Sequence, residues 1–387
     1  MALLVHVCAL PAALALSVAV FCLTVWAACV RAVTLPPPDI QHAEDAMLRA
    51  RVLHVQYERT SNTQVHGIRA WRRGERSGVR RDAPVLLVVH GTAGSSMSCV
   101  GALDELANMF DVHAIDLPGF GRTDAPSDLL SRSDAEILDF FVSVLRRYVA
   151  ELGIGPVCVM GHSFGGHLAV HFAARHPELV SRLVLVAPAG VFPTLGAWGA
   201  YWALLFKLRL PQSLLRSLRR LGVVRALCMG QPAPCPWGKG ENYWLQLLSS
   251  PTGVGDRVVS RLITTGFMGS RWSRPALHEL LGLRVPVGLI YGERDTIMPP
   301  HQGYVLSRLG GLPLRVVAGA GHSVHDTHPE QFAKAFVDVH RDAMRPDASP
   351  ELQRRVPIEV MRSYVTPYSI ACADGVIQRM YLAMMSS

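Results

Sequence analysis

Three short stretches hold residue types that can together activate a hydroxyl. Gly161-His162-Ser163-Phe164-Gly165 lies between an apolar run ending at Met160 and a helical pattern. A serine between glycines at such a junction sits on a bend too sharp for neighbouring Cβ atoms. That bend lifts its hydroxyl off the strand and aims the next amide, that of Phe164, at the space where an oxyanion would form. A serine hydroxyl is a poor nucleophile until a base removes its proton, and a neutral imidazole titrating near neutrality suits that task. The chain has 16 histidines, so position decides among them. His322 closes Gly319-Ala320-Gly321-His322, after the last strand-like run and before the last helical pattern. His325 and His328 read as surface loop residues. The base needs a carboxylate to fix its tautomer and to stabilise the imidazolium. The loop after residues 285–291 offers two, Glu293 and Asp295. Glu293 reads as a loop salt bridge with a neighbouring arginine, which leaves Asp295 as the acid.

These residues need a rigid frame, and hydrophobic patterning supplies one. Short apolar runs rich in β-branched residues predict strands near residues 52–58, 65–71, 84–90, 112–115, 156–160, 183–186, 285–291 and 314–317. Helical patterns fall between several of them, at 96–110, 133–152, 163–176 and 331–343. Strands that alternate with helices predict a parallel sheet covered on both faces, the α/β class. The alternation stops after residue 190 and resumes near 284, so 50–190 and 284–345 form the core, and 191–283 reads as an inserted helical lid. Trp198, Tyr201, Trp202, Leu204, Leu205, Phe206 and Leu208 are interleaved with and followed by Lys207, Arg209, Arg216, Arg219, Arg220 and Arg225. This is either an acyl-binding lid with a basic interfacial face or an ordinary lid helix with solvated arginines. Residues 346–387 form a C-terminal tail.

The first thirty residues contain no Asp, Glu, Lys or Arg. About 20 apolar residues span a bilayer. Residues 1–34 therefore read as a single-pass transmembrane anchor, with Pro11 breaking the helix and residues 12–30 as the span. Arg31, Arg49 and Arg51 follow it and put the body on the cytoplasmic side by the positive-inside rule. Residues 35–49, with Pro36, Pro37 and Pro38, read as a stiff linker.

Half of the 387 residues are apolar and 18% are charged, which suits a large buried core and excludes a disordered chain. The net charge of +8 is dispersed, without a basic block or zinc-finger spacing. A nucleic-acid partner is not expected, whereas weak attraction to an anionic membrane is. The 8 cysteines form no metal-like cluster, and Cys228 and Cys235 are spaced for a local disulfide or stand as free thiols.

Across residues 52–343 these motifs resemble the α/β-hydrolase superfamily, in which the order serine, acid, histidine is expected. The resemblance implies an eight-stranded, mostly parallel sheet, a lid over the pocket and no cofactor or metal. It also implies a second oxyanion donor from His90-Gly91-Thr92-Ala93-Gly94, for which the Thr92 amide is chosen, with Ala93 as the neighbour to test and His90 as a structural residue. Asp116-Leu117-Pro118-Gly119-Phe120-Gly121 is similar to the family's D-x-P-G-x-G turn. Ala187-Pro188-Ala189-Gly190-Val191-Phe192-Pro193 and Trp272-Ser273-Arg274-Pro275 resemble the branch acting on lysophospholipids and N-acyl phospholipids. Some members of that branch carry a His-x4-Asp acyltransferase motif, but here Thr327 holds the last position and Asp326 falls one short. The implied activity is cleavage of apolar or lipid carboxylic esters. A silent binding or co-activator protein, a carbon–carbon bond hydrolase and an acyltransferase are the alternatives on the same fold, and a peptidase or thioesterase differs only in substrate.

Overall fold

The computed structural model describes residues 40–52, 54–62, 65–72, 83–153, 155–192, 254–266 and 269–343. The chain divides into two compact units, residues 1–47 with 204–251 and residues 48–203 with 252–387. The described residues of the first unit open helix α1 (Ile40–Arg51). In the second unit the strands are β1 (Val55–Asn62), β2 (Val65–Arg72), β3 (Val85–Val89), β4 (Asp111–Ile115), β5 (Val157–His162), β6 (Val180–Val186), β7 (Ile263–Gly266), β8 (Gly269–Trp272), β9 (Val287–Gly292) and β10 (Leu314–Val317). The helices are α2 (Leu103–Leu106), α3 (Asp134–Leu152), α4 (Phe164–Arg175), α5 (Val254–Leu262), α6 (Leu277–Gly282), α7 (Pro300–Gly310), α8 (Val324–Thr327) and α9 (Pro329–Asp342).

Eight strands form one sheet in the order β1-β2-β4-β3-β5-β6-β9-β10. From β4 to β10 every neighbouring pair is parallel, while β2 runs antiparallel to β4 and to β1. Every residue of β3, β4, β5 and β9 is buried. Strands covered on both faces read as continuous apolar runs, which is why Val85-Leu-Leu-Val-Val89 carries no alternation. Helix α3 has the opposite signature. It buries Ile137, Phe141, Leu145 and Tyr148 as a stripe and leaves polar residues outside. Its start is set by a capping box: the Ser133 hydroxyl accepts from the Glu136 amide, and the Glu136 carboxylate accepts from the Ser133 amide at 2.8 Å. Helix α4 is apolar nearly all round and is buried from Phe164 to Ala173.

The eight-stranded, mostly parallel sheet matches the expectation, and several details differ. Residues 40–51 are helical, so the expected linker over 35–49 is helical from residue 40 onward. The helix expected at 96–110 is a 3-10 turn over Ser96–Ala102 followed by the short α2. There Ser95 and Ser98 form a capping box, bonding the local backbone and favouring a tight turn over a continuous helix. Residues 191–283 are not uniformly helical, because β7 and β8 form an antiparallel hairpin between α5 and α6. Ile263, Thr264 and Thr265 are β-branched and favour that strand. Helix α7 was not expected. It starts with Pro300 in its first turn and ends at Gly311, which has φ +64°. The expected anchor, Cys228, Cys235, residues 193–253 of the expected lid and the C-terminal tail lie outside the described residues. Among the described residues, no helix is long and apolar enough to cross a membrane.

The sheet's antiparallel end is tied by charge. The Arg69 guanidinium on β2 donates to both Asp111 carboxylate oxygens on β4, at 2.8 and 2.6 Å. Burial alone would raise the Asp111 carboxyl. The hydrogen bonds and charge of Arg69 and His113 outweigh it and hold the carboxyl well below its usual range. A depressed folded-state value contributes stability above the unfolded value, about 3.9, and that stability is lost as the pH falls through the folded one. Asp111→Asn is therefore expected to lower the melting temperature at pH 7, with a gap to wild type that narrows between about pH 4 and pH 2. Thermal unfolding across that range checks this, and a gap independent of pH contradicts it.

Candidate active site

Strands β3, β5, β9 and β10 run parallel, and their C-terminal ends open into the four loops that carry the residues singled out from the sequence. In open parallel sheets that edge is where ligands bind. At the end of β5 the chain turns at Ser163, with φ +50° and ψ −116°, directly into α4. A left-handed conformation at a non-glycine residue costs on the order of 1–3 kcal/mol and persists only where the surroundings enforce it. The surroundings here are close backbone contacts. A Cβ on Gly165 would lie 2.2 Å from the Val89 carbonyl oxygen of β3, and one on Gly161 would lie 2.6 Å from the Gly165 oxygen. The Ser163 amide donates to Val186 O at 3.0 Å. Its carbonyl accepts from Gly166, His167 and Ala189 at 2.9, 3.2 and 2.9 Å. The backbone of this bend is saturated while the side chain lies outside both elements. Phe164 is the first residue of α4, where amides have no acceptor within the helix.

The loops after β9 and β10 bring Asp295 and His322 together. His322 Nδ1 lies 2.7 Å from Asp295 Oδ2, and the Asp295 side chain is wholly buried. The other carboxylate oxygen accepts from the Ile297 and Met298 amides, both at 2.8 Å. These bonds hold the carboxylate still and stabilise its charge. The Oδ2 carboxylate oxygen accepts from His322 Nδ1–H, and the ring in that tautomer presents Nε2 as an acceptor. Glu293 is not in an ion pair among the described residues. Its carboxylate accepts from the Gly319 amide at 2.8 Å, tying the two loops together. No hydrogen bond joins Ser163 to the His322 ring. The link between their loops runs through His162, whose Nε2 lies 3.0 Å from the His322 carbonyl oxygen.

The loop after β3 has a different fixing device. His90 accepts from the Leu117 amide through Nε2 at 3.0 Å and donates from Nδ1 to Gly91 O at 2.7 Å. It is buried, and that burial lowers its pKa, so the ring is a neutral brace. Ala93 has φ +56°, and its amide donates to Asp256 Oδ1 on α5 at 3.1 Å. That bond commits the Ala93 amide and leaves Thr92 as the candidate donor of this turn. Asp116 closes the neighbouring turn by accepting from the Ser96 and Arg122 amides at 2.6 and 2.8 Å.

His325, like Glu293, departs from its sequence reading. His325 is 2% exposed rather than a surface loop residue, because it lies on the short helix α8, which packs against the 3-10 turn over Ser96–Ala102 and against α9. Burial, then the neighbouring His322, pushes its pKa down to about 3. Asp256 carries no local signal in the sequence, since its role depends on a contact 163 positions away. Among the described residues no cluster of three or more His, Cys, Asp or Glu side chains is arranged to hold a metal.

A family model described as the alpha/beta hydrolase family matches residues 85–335. The chain is similar to a probable 1-acylglycerol-3-phosphate O-acyltransferase of Oryza sativa subsp. japonica, at 32% identity over 302 residues, covering 70% of each chain. It is also similar to a (lyso)-N-acylphosphatidylethanolamine lipase of Bos taurus, at 35% identity over 113 residues, 29% of this chain and 32% of that one. Among solved structures, a putative lipase from Acinetobacter baumannii AYE superposes with a TM-score of 0.56 at 21% identity, covering 79% of this chain and 95% of that one. At that identity the likeness is one of fold.

Removing the Asp256 carboxylate should release the strained turn after β3. In Asp256→Ala the Ala93 amide is expected to exchange hydrogen about tenfold or more faster, as loss of roughly 1.4 kcal/mol of local stability would give. The Leu117 amide, held by His90, should be unchanged. Equal exchange at Ala93 in both proteins would contradict the clamp.

Proposed function

This chain belongs to the alpha/beta hydrolase family, and from that premise we propose that it is a serine hydrolase of carboxylic esters. In this reading Ser163 is the nucleophile, His322 the base and Asp295 the acid that orients it. The observation that carries it is the 2.7 Å contact from His322 Nδ1 to the buried Asp295, in a loop bonded to the residue preceding the elbow serine. His322 Nε2 takes the Ser163 proton as Oγ attacks the ester carbonyl carbon. The carbonyl oxygen gains the negative charge and accepts from the Thr92 and Phe164 amides. The tetrahedral species collapses, the alcohol leaves with the proton from His322, and an acyl-enzyme remains. Water then loses a proton to the same ring and attacks the acyl carbon, and Ser163 departs reprotonated. Apolar acyl esters, lipids among them, are the substrate class. The uncharged apolar stretch over residues 1–30 supports this, since a tethered body would meet its substrate in the plane of a bilayer.

Acyl transfer is the second reading. It is favoured by the similarity to the probable 1-acylglycerol-3-phosphate O-acyltransferase and opposed by Thr327, which stands where that branch's motif has an acid. An acceptor alcohol would replace water in the last step. Supplying 1-acylglycerol-3-phosphate with an acyl donor separates the two, since a diacyl product requires transfer and free fatty acid alone requires hydrolysis.

The wild-type chain is expected to label with a fluorophosphonate, and Ser163→Ala to abolish labelling. Asp295→Asn should cut ester turnover by about 10³-fold or more, because the ring loses its tautomer. Glu293→Gln should stay within about twofold. An unlabelled wild type would support a non-catalytic binding role on this fold, and a large loss in the Glu293 variant would move the acid to that residue.

A further inference from the structure

One imidazole lies between three of the loops at the sheet edge and has no role in the chemistry proposed so far. His162 is the last residue of β5 and directly precedes Ser163. It is buried, at 7% exposure. Its Nε2 lies 3.0 Å from the His322 carbonyl oxygen, and its ring centroid is 4.8 Å from that of His322. On another side it meets His325 of α8 edge-on, with centroids 4.5 Å apart. Its Nδ1 lies against Gly91 of the loop after β3, so closely that a Cβ there would sit 3.0 Å away.

We infer that His162 is a positioning residue, whose Nε2–H, donated to the main-chain carbonyl of His322, holds the base's loop in register with the neighbouring Ser163. The inference rests on the assignment of Ser163 and His322 made above. A carbonyl oxygen only accepts, so this bond requires the Nε2–H tautomer. Asp295 and His162 then hold the same residue at two points, the ring at Nδ1 and the backbone at C=O. Asp295 fixes where the ring points, and His162 fixes where the ring is relative to the elbow. Because His162 and Ser163 are consecutive on one rigid strand end, any movement of that bend carries the base's loop with it. Burial first, then the nearby His325 and His322, lowers the His162 pKa well below its ordinary value, so the ring stays neutral when its neighbour takes a proton. A misplacement of about 1 Å between reacting groups can cost on the order of 100-fold in rate. A contact that sets their separation therefore acts on turnover more than on substrate affinity.

The test compares His162→Leu, which fills similar space without a donor, with His162→Gln, whose terminal amide reaches close to the Nε2 position. Both are made in the full chain. Turnover of a soluble p-nitrophenyl ester and the rate of fluorophosphonate labelling are read beside the melting temperature. The leucine variant is expected to lose about 10- to 100-fold in kcat and in labelling rate, with KM within about threefold. The glutamine variant should recover to within about threefold of wild type. A leucine variant as fast as wild type, or a glutamine variant as slow as the leucine one at an unchanged melting temperature, overturns the inference. If the leucine variant does not fold, nitrogen-resolved NMR of the wild-type imidazoles decides. His162 must be neutral with its proton on Nε2, and a proton on Nδ1 alone overturns the inference. A wild type that neither labels nor turns over sinks the reading beneath this one, whereas a labelling wild type with an equally fast leucine variant sinks only the role of His162.

Discussion

The backbone of Ser163 is the constraint from which the site follows. A residue with a Cβ is held at φ +50° at the end of a buried strand, a conformation with an intrinsic cost on the order of 1–3 kcal/mol. It is stable because nothing around it can relax. Gly161 and Gly165 let strand and helix nearly touch, its amide donates to Val186 O, and its carbonyl accepts from the Gly166, His167 and Ala189 amides. This strand and its parallel neighbour β3 are buried on both faces and cannot shift without exposing apolar surface. The hydroxyl is thus delivered by backbone geometry rather than by a side-chain contact.

Around that bend, burial sorts chemically identical residues into different tasks. His90, His162 and His325 are buried, and desolvation is the main cause of the lowered pKa of each. They are neutral braces that bond or pack the loops. His322 keeps 17% of its side chain exposed and has a carboxylate on one nitrogen. Of the four, it alone combines an outlet to solvent with a partner able to stabilise the imidazolium. The same sorting applies to the loop carboxylates. Asp295 is buried against His322 and two amides, while Glu293 joins two loops from the surface.

What was legible in the sequence is what depends on local pattern. All eight strands of the sheet fall near expected positions, because strands buried on both faces announce themselves as apolar runs between turn residues. The tight turn at Ser163 and the closeness of Asp295 to His322 were legible because each of these residues lies within a few positions of a strand end. What was missed depends on distant contacts. The hydrogen bond from Ala93 to Asp256 spans 163 positions, and the contact from His162 to His322 spans 160. His325 has ordinary loop residues beside it, and only the packing of α8 buries it. Hairpin β7–β8 was absorbed into a segment read as helical because that segment is rich in Trp, Leu and Arg. Strand-favouring Ile263, Thr264 and Thr265 lie at its far end.

The central claim is that an acyl group passes through Ser163. The most direct measurement is mass spectrometry of peptides from the full chain, acid-quenched during turnover of a slowly deacylating ester. The account predicts the acyl mass on the peptide containing Ser163 and its disappearance as substrate is exhausted. Steady release of acid with no acylated peptide, or an acyl mass on a different residue, would contradict it.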